Sequence, residues 1–160
     1  MASVLSLRPR TRLQKGTAAA ALAISVVGGF EGLRQTAYRD VVGVPTICYG
    51  ETRGVTMGMS ATKAECDAML LKGLQEFEQG VLGCTTVEMP VKRQVAMVSF
   101  AYNVGVGAYC KSSVARLLNG GQTRAACDAL LKWNKAGGVV FPGLTRRRQA
   151  ERELCLAEAA

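Results

Sequence analysis

Glu31, Asp40 and Thr46 stand in the frame E-x8-D-x5-T. The glutamate closes an uncharged, largely apolar segment, and the other two follow on a stretch punctuated by Gly43 and Gly50. Two carboxyl groups and a hydroxyl are the equipment of glycoside hydrolysis, in which one acid protonates the leaving oxygen and one carboxylate works on the opposite face of the sugar. In that chemistry Glu31 is the candidate acid, since a poorly solvated cleft favours the neutral form of a carboxyl group. Asp40, on a polar turn beside Arg39, is the candidate base, and Thr46 the candidate positioner of water. Each has a plainer role open to it. Glu31 can cap a helix or pair with an arginine, Asp40 can be a turn aspartate, and Thr46 can be a strand residue.

Other chemistries are excluded. The chain has no histidine, so Ser-His-Asp and Cys-His catalysis and histidine-ligated metal sites are ruled out. Its six cysteines, 18, 18, 26, 17 and 28 residues apart, contain no C-x2-C motif. The run Gly105-Val-Gly-Ala-Tyr-Cys-Lys-Ser112 fails as a phosphate loop because Cys110 occupies the position of the glycine before the lysine. No metal or cofactor is implied. The net charge is +8, and four of the basic residues (Arg8, Arg10, Arg12 and Lys15) fall within the first 15 positions. No helix-turn-helix, zinc-finger or aromatic-basic pattern accompanies that charge, so no nucleic-acid partner is expected. An anionic cell envelope suits it equally well.

The elements that must position these residues can be read along the chain. At 160 residues it is a one-domain length. Residues 37–56 carry strand formers between glycines and read as a small β-element. Thr62-x-x-Glu65 is a capping box opening a helix to about Gln79. Pro90 suits the first turn of a helix ending at Gly105 and Gly107, with Val91, Val95, Val98 and Tyr102 on one face. Further helices are expected to about Leu118, from Arg124 to Asn134, and from Leu144 to Leu156.

The frame and its flanks resemble the phage-type lysozymes, the muramidases that tailed phages use as endolysins. Two further blocks carry the resemblance. Ser99-Phe-Ala-Tyr-Asn-Val-Gly105 is similar to the central helix of that family. Gly143-Leu-Thr-Arg-Arg-Arg-Gln-Ala-Glu151 is similar to its C-terminal helix, usually G-L-x-x-R-R-x-x-E, and Trp133 lies between them where the family often has an aromatic. The match runs from about Phe30 to Leu156. It implies an α+β, mostly helical, lysozyme-like fold with a small β-hairpin subdomain and a helical C-terminal lobe. It also implies hydrolysis of the bond between N-acetylmuramic acid and N-acetylglucosamine, with inversion, by a monomer that needs no cofactor, for host-cell lysis. Arg146, Arg147 or Arg148 is placed to orient Glu31, or to form a solvated basic face paired with Glu151, and for any single arginine the second role is preferred.

The N-terminus divides into a basic tail, residues 1–15, expected to be mobile, and an uncharged segment, residues 16–30, with the catalytic domain at 31–160. A positive region before an apolar one is an export signal, but 15 residues rich in Ala and Gly are short for a span of about 20. A cleaved signal, an ordinary soluble helix and a signal-anchor-release segment are all compatible with it. Cleavage fits poorly with the family, which carries its acid at the end of an N-terminal helix that only residues 17–30 can supply. The third is adopted because four basic residues precede the segment, its short Ala- and Gly-rich composition makes insertion marginal, and Glu31 follows it directly. The partners are then the host export machinery, the inner membrane through residues 16–30, and peptidoglycan. The protein would be tethered to the inner membrane and inactive, then periplasmic and active. A non-catalytic cationic protein that disrupts membranes or binds peptidoglycan is the alternative, and a chitinase-like or transglycosylase activity a third.

Export favours disulfides. Six cysteines allow 15 pairings. Cys84–Cys110 is expected as a bridge flanking the helix unit between Pro90 and Gly107. Cys127–Cys155 is expected between helices, and Cys48–Cys66 between hairpin and helix.

Overall fold

The computed structural model describes residues 9–157. In chain order the elements are α1 (Ala18–Glu31), β1 (Arg34–Arg39), β2 (Pro45–Cys48), α2 (Lys63–Gly83), α3 (Val91–Val104), α4 (Val106–Lys111), α5 (Ser113–Asn119), α6 (Thr123–Ala129), a 3-10 turn (Leu130–Lys132), β3 (Lys135–Ala136), β4 (Val139–Val140) and α7 (Pro142–Leu156). This is the expected α+β class, mostly helical with two small hairpins. The chain forms two compact units, one of Leu13–Glu76 and the other of the remaining described residues.

In the Leu13–Glu76 unit, α1 begins because Thr17 caps it. The Thr17 hydroxyl accepts the Ala20 N–H at 3.1 Å and donates to the Gln14 carbonyl at 2.8 Å, satisfying a donor that a helix start leaves unpaired. Ala19, Ala20, Ala23, Val27 and Gly28 are its buried residues, a narrow stripe of small side chains. Gly32 ends it with φ at 78°, its N–H bonded to the Gly28 carbonyl. β1 and β2 pair antiparallel, Tyr38 opposite Thr46 and Arg39 opposite Pro45. The Met59 carbonyl and the Ala61 N–H extend this ladder to Ala37 and Gln35. Cys48, whose φ of 62° is in the left-handed region, is tied to Cys66 at the start of α2.

In the other unit α3 is the buried centre: Val95, Ala96, Met97, Val98, Phe100 and Ala101 are at most 1% exposed. Phe100 meets Trp133 and Tyr109 edge to face, with ring centroids 5.3 and 6.2 Å apart. Cys84–Cys110 and Cys127–Cys155 are bridged here, so all three expected pairings form.

Three expectations are corrected. The helix after Gly105 is two helices, because Ser112 breaks it: its hydroxyl donates to the Tyr109 carbonyl at 2.6 Å and caps α5 by accepting from Ala115, the local competition by which serine interrupts helices. The helix from Arg124 stops at Ala129 and passes through the 3-10 turn into the β3–β4 hairpin, whose Gly137 and Gly138 have φ of 57° and 79°, as a tight hairpin turn needs. The basic tail was expected to be mobile. Its residues 1–8 lie outside the described residues, but Arg12 is half-buried in hydrogen bonds and Leu13 is 1% exposed. Charge pattern alone concealed the apolar leucine and the buried acceptors that hold this segment.

Candidate active site

The Leu13–Glu76 unit contains the whole E-x8-D-x5-T frame. Glu31 is the last residue of α1, so the alanine stripe that packs the helix also fixes the acid. It is exposed, and the poorly solvated setting expected of it is not provided by burial within this unit.

Asp40 follows β1 directly and organises the turn to β2. One carboxylate oxygen, Oδ1, accepts the N–H groups of Val42 and Val44 at 3.0 and 2.9 Å. The Asp40 N–H donates to the Val44 carbonyl, and its carbonyl accepts from Gly43, which takes a φ of 83°. The turn-aspartate role is therefore real, yet it occupies only one oxygen. Oδ2 has no hydrogen-bond partner among the described residues.

Thr46, in β2, is 4% exposed. Its hydroxyl donates to the Val44 carbonyl at 2.9 Å. With its proton committed, Oγ1 retains lone pairs that can accept from a water. Val44 thus ties the two residues together: its N–H goes to Asp40 and its carbonyl holds Thr46.

Sequence reasoning missed the group that steadies this unit. Tyr49 donates to Asp67 Oδ1 at 2.6 Å, and Lys63 donates to Asp67 Oδ2 at 2.7 Å. Burial, then the Asp67 hydrogen bond and charge, push the Tyr49 phenol up to about 12. Burial works to raise Asp67, but the bonds from Lys63 and Tyr49 and the Lys63 charge prevail, and its carboxyl lies below the usual value. Lys63 and Asp67 sit four apart in a helix, the one signal that could have pointed to this cluster. A groove of about 500 Å³ opens between α1 and this cluster, and it contains none of the three frame residues.

The two blocks of the second unit that carry the resemblance form a buried network. Glu151 pairs with Arg147 at 3.1 Å and Arg148 at 2.6 Å and accepts from the Ser99 hydroxyl at 2.7 Å. Arg147 also donates to the Ser99 carbonyl, and Arg148 to the Asn103 side chain. The pairing with Glu151 is as preferred, but the face is not solvated: Arg147, Arg148 and Glu151 are 5%, 0% and 0% exposed. Burial pushes the Glu151 carboxyl up against the opposing pull of Arg148, Ser99 and Arg147. These charges serve the α3–α7 packing, with Arg148 also stacked over Phe100 at 4.9 Å.

The fold is that of a glycoside hydrolase of lysozyme type. A family model described as phage lysozyme matches residues 28–151, and the chain belongs to that family of muramidases. A SAR-endolysin of Pseudomonas phage phiKMV is 43% identical over 151 residues, covering 90% of this chain and 93% of the relative. The muramidase domain of SpmX from Asticaccaulis excentricus has a TM-score of 0.82 at 29% identity, covering 93% of this chain and all of that domain. P22 lysozyme has a TM-score of 0.80 at 35% identity, covering 86% and 97%.

Proposed function

We propose that this endolysin hydrolyses the β-1,4 bond between N-acetylmuramic acid and N-acetylglucosamine, with Glu31 as acid, Asp40 as base and Thr46 as positioner of water. The observation that carries the reading is the Val44 bridge, which leaves Asp40 Oδ2 open and turns Thr46 into an acceptor. A water donating one proton to Oδ2 and the other to Thr46 Oγ1 is oriented for attack while Asp40 removes its proton. Glu31 protonates the departing oxygen, and bound glycan supplies the desolvation that the exposed side chain lacks. Attack by an activated water in one displacement inverts the anomeric carbon.

Activity is switched by release from the inner membrane. Residues 16–30 first lie in the bilayer, and α1 with its acid joins the enzyme only on leaving it. The relatives named SAR-endolysins support this reading. Among the described residues no helix is long and apolar enough to cross a membrane.

Turbidity loss of chloroform-treated Gram-negative cells tests the chemistry: Glu31→Gln should be silent, and reducing-end analysis of the muropeptides should show hydrolysis at muramic acid. A Glu31→Gln protein that still lyses cells from within would favour the cationic membrane-disrupting alternative, and an anhydro-sugar product the transglycosylase one. Leucines at Ala18, Ala21 and Ser25, all exposed on α1, should hold the protein in the membrane fraction, while a lysine at Ala21 should free it. A soluble active form beginning near Phe30 would replace the release mechanism with ordinary signal cleavage.

A further inference from the structure

We propose that the basic arm ahead of α1 is a latch that holds the released form, docking into a polar receptor built from Glu78 and Gln94; this rests on the membrane-release reading above. The Arg12 N–H donates to Glu78 Oε1 at 2.6 Å. Gln94 Nε2 donates to the Arg10 carbonyl at 2.8 Å and to Glu78 Oε1 at 2.7 Å. The Arg12 guanidinium donates to Gln94 Oε1 at 3.3 Å and to the Met89 carbonyl at 2.9 Å. Arg10 and Arg12 both approach Glu88, at 3.1 and 3.6 Å.

The receptor differs from an ordinary surface ion pair in its burial. Glu78 and Gln94 are 2% and 1% exposed, and the arm's main chain supplies partners to both. Exposed pairs such as Arg10–Glu88 contribute little, whereas hydrogen bonds to a buried carboxylate and amide, screened from water, are stronger. Glu78 in α2 and Gln94 in α3 therefore form a site whose complement is residues 10–12 of the same chain.

That complement is missing in the tethered state. A positive region preceding a membrane segment stays on the cytoplasmic side, while the receptor belongs to the exported domain. The arm reaches Glu78 and Gln94 only after crossing the bilayer. A contact present in one state alone shifts the equilibrium toward that state, so the latch opposes return of α1 to the membrane.

The test compares full-length wild type, Arg12→Ala and Lys15→Ala by the time course of membrane and soluble fractions after synthesis is blocked. Lys15 is exposed and belongs to the same basic arm. If membrane energetics alone governed release, losing either charge would ease crossing, and both variants would release faster. The latch predicts opposite signs. Lys15→Ala releases at least as fully as wild type, whereas Arg12→Ala lowers the soluble-to-membrane ratio about tenfold, as expected for losing charge-assisted bonds. Turnover per mole of soluble enzyme is unchanged, because Arg12 is outside the catalytic frame. Equal ratios for the two variants overturn the latch, as does an Arg12→Ala membrane pool that proves unfolded by circular dichroism after detergent extraction. A wild type that never fractionates with membranes overturns the release reading itself, and the latch with it.

Discussion

A Cβ atom placed on Gly28 would stand 3.0 Å from Tyr49 Cε1 and 3.3 Å from Tyr49 Cζ. Tyr49 is not free to give way, since its hydroxyl is bonded to Asp67 and Asp67 to Lys63. The missing side chain is what lets α1, and with it Glu31, lie against this ring. Gly28→Ala gains about 1 kcal/mol of helix propensity and meets about 1–3 kcal/mol of overpacking, so a small net loss is expected. Gly28→Val adds two methyl groups without the full propensity gain and should be clearly less stable than Gly28→Ala. Thermal denaturation of the soluble proteins measures both, and wild-type stability of Gly28→Val would show that α1 does not depend on this approach.

Asp40 has a structural oxygen and an open one, and two substitutions separate them. Asp40→Asn keeps an acceptor for the Val42 and Val44 N–H groups, so the turn should persist while muralytic turnover falls by about 10²-fold or more, the scale of a lost general base. Asp40→Ala removes the acceptor too and should also lower the melting temperature. Equal stability of the two would mean that the turn bonds contribute nothing.

Thr46 gives a finer test. Thr46→Ser keeps the oxygen that donates to Val44 and accepts from water, so it should retain most activity. Thr46→Val removes the oxygen from a buried site and should be impaired in turnover. Comparable kinetics for the two variants would remove Thr46 from the mechanism.

The Tyr49–Asp67 bond sets limits at both ends of the pH scale. Asp67 is depressed in the folded state, so its contribution to stability is present above its ordinary value of 3.8 and is lost as pH falls through the lower folded value. Tyr49 is raised, so its contribution is present below 10.0 and is lost as pH rises through about 12. Asp67→Asn should flatten the acid-side loss in urea midpoints. It should also move the high tyrosinate transition downward in an ultraviolet titration, without returning it to 10.0, because burial is the larger cause of the shift. An unmoved transition would mean that Asp67 does not act on Tyr49.

The candidate frame was legible because the chemistry proposed for it is written in residue types at fixed spacing. The exposure of Glu31 was not, since solvation depends on what surrounds a helix end. Disulfide partners were legible from the elements they flank. The break at Ser112 and the Gly137–Gly138 hairpin were not, because each turns on a single local hydrogen-bond choice or on backbone angles that helix periodicity does not record. The buried Arg147–Arg148–Glu151 cluster read as a solvated face, since charges one helical turn apart look the same in the sequence whether or not Ser99 and Asn103 bond to them. Arg12 and Leu13 were hidden by the charge around them.

The three bridges join each cysteine to its next neighbour along the chain: Cys48 to Cys66, Cys84 to Cys110, Cys127 to Cys155. No ring encloses or overlaps another. A chain threading into an oxidising compartment from its N-terminal side presents its thiols in that same order, so each pair can close before the next emerges. The native map is the one that vectorial oxidation produces by default, and no bridge has to be broken and rejoined to reach it. Nor does any ring include a residue before Cys48, so the helix bearing Glu31 stays outside the covalent framework and can arrive after the rest has been sealed.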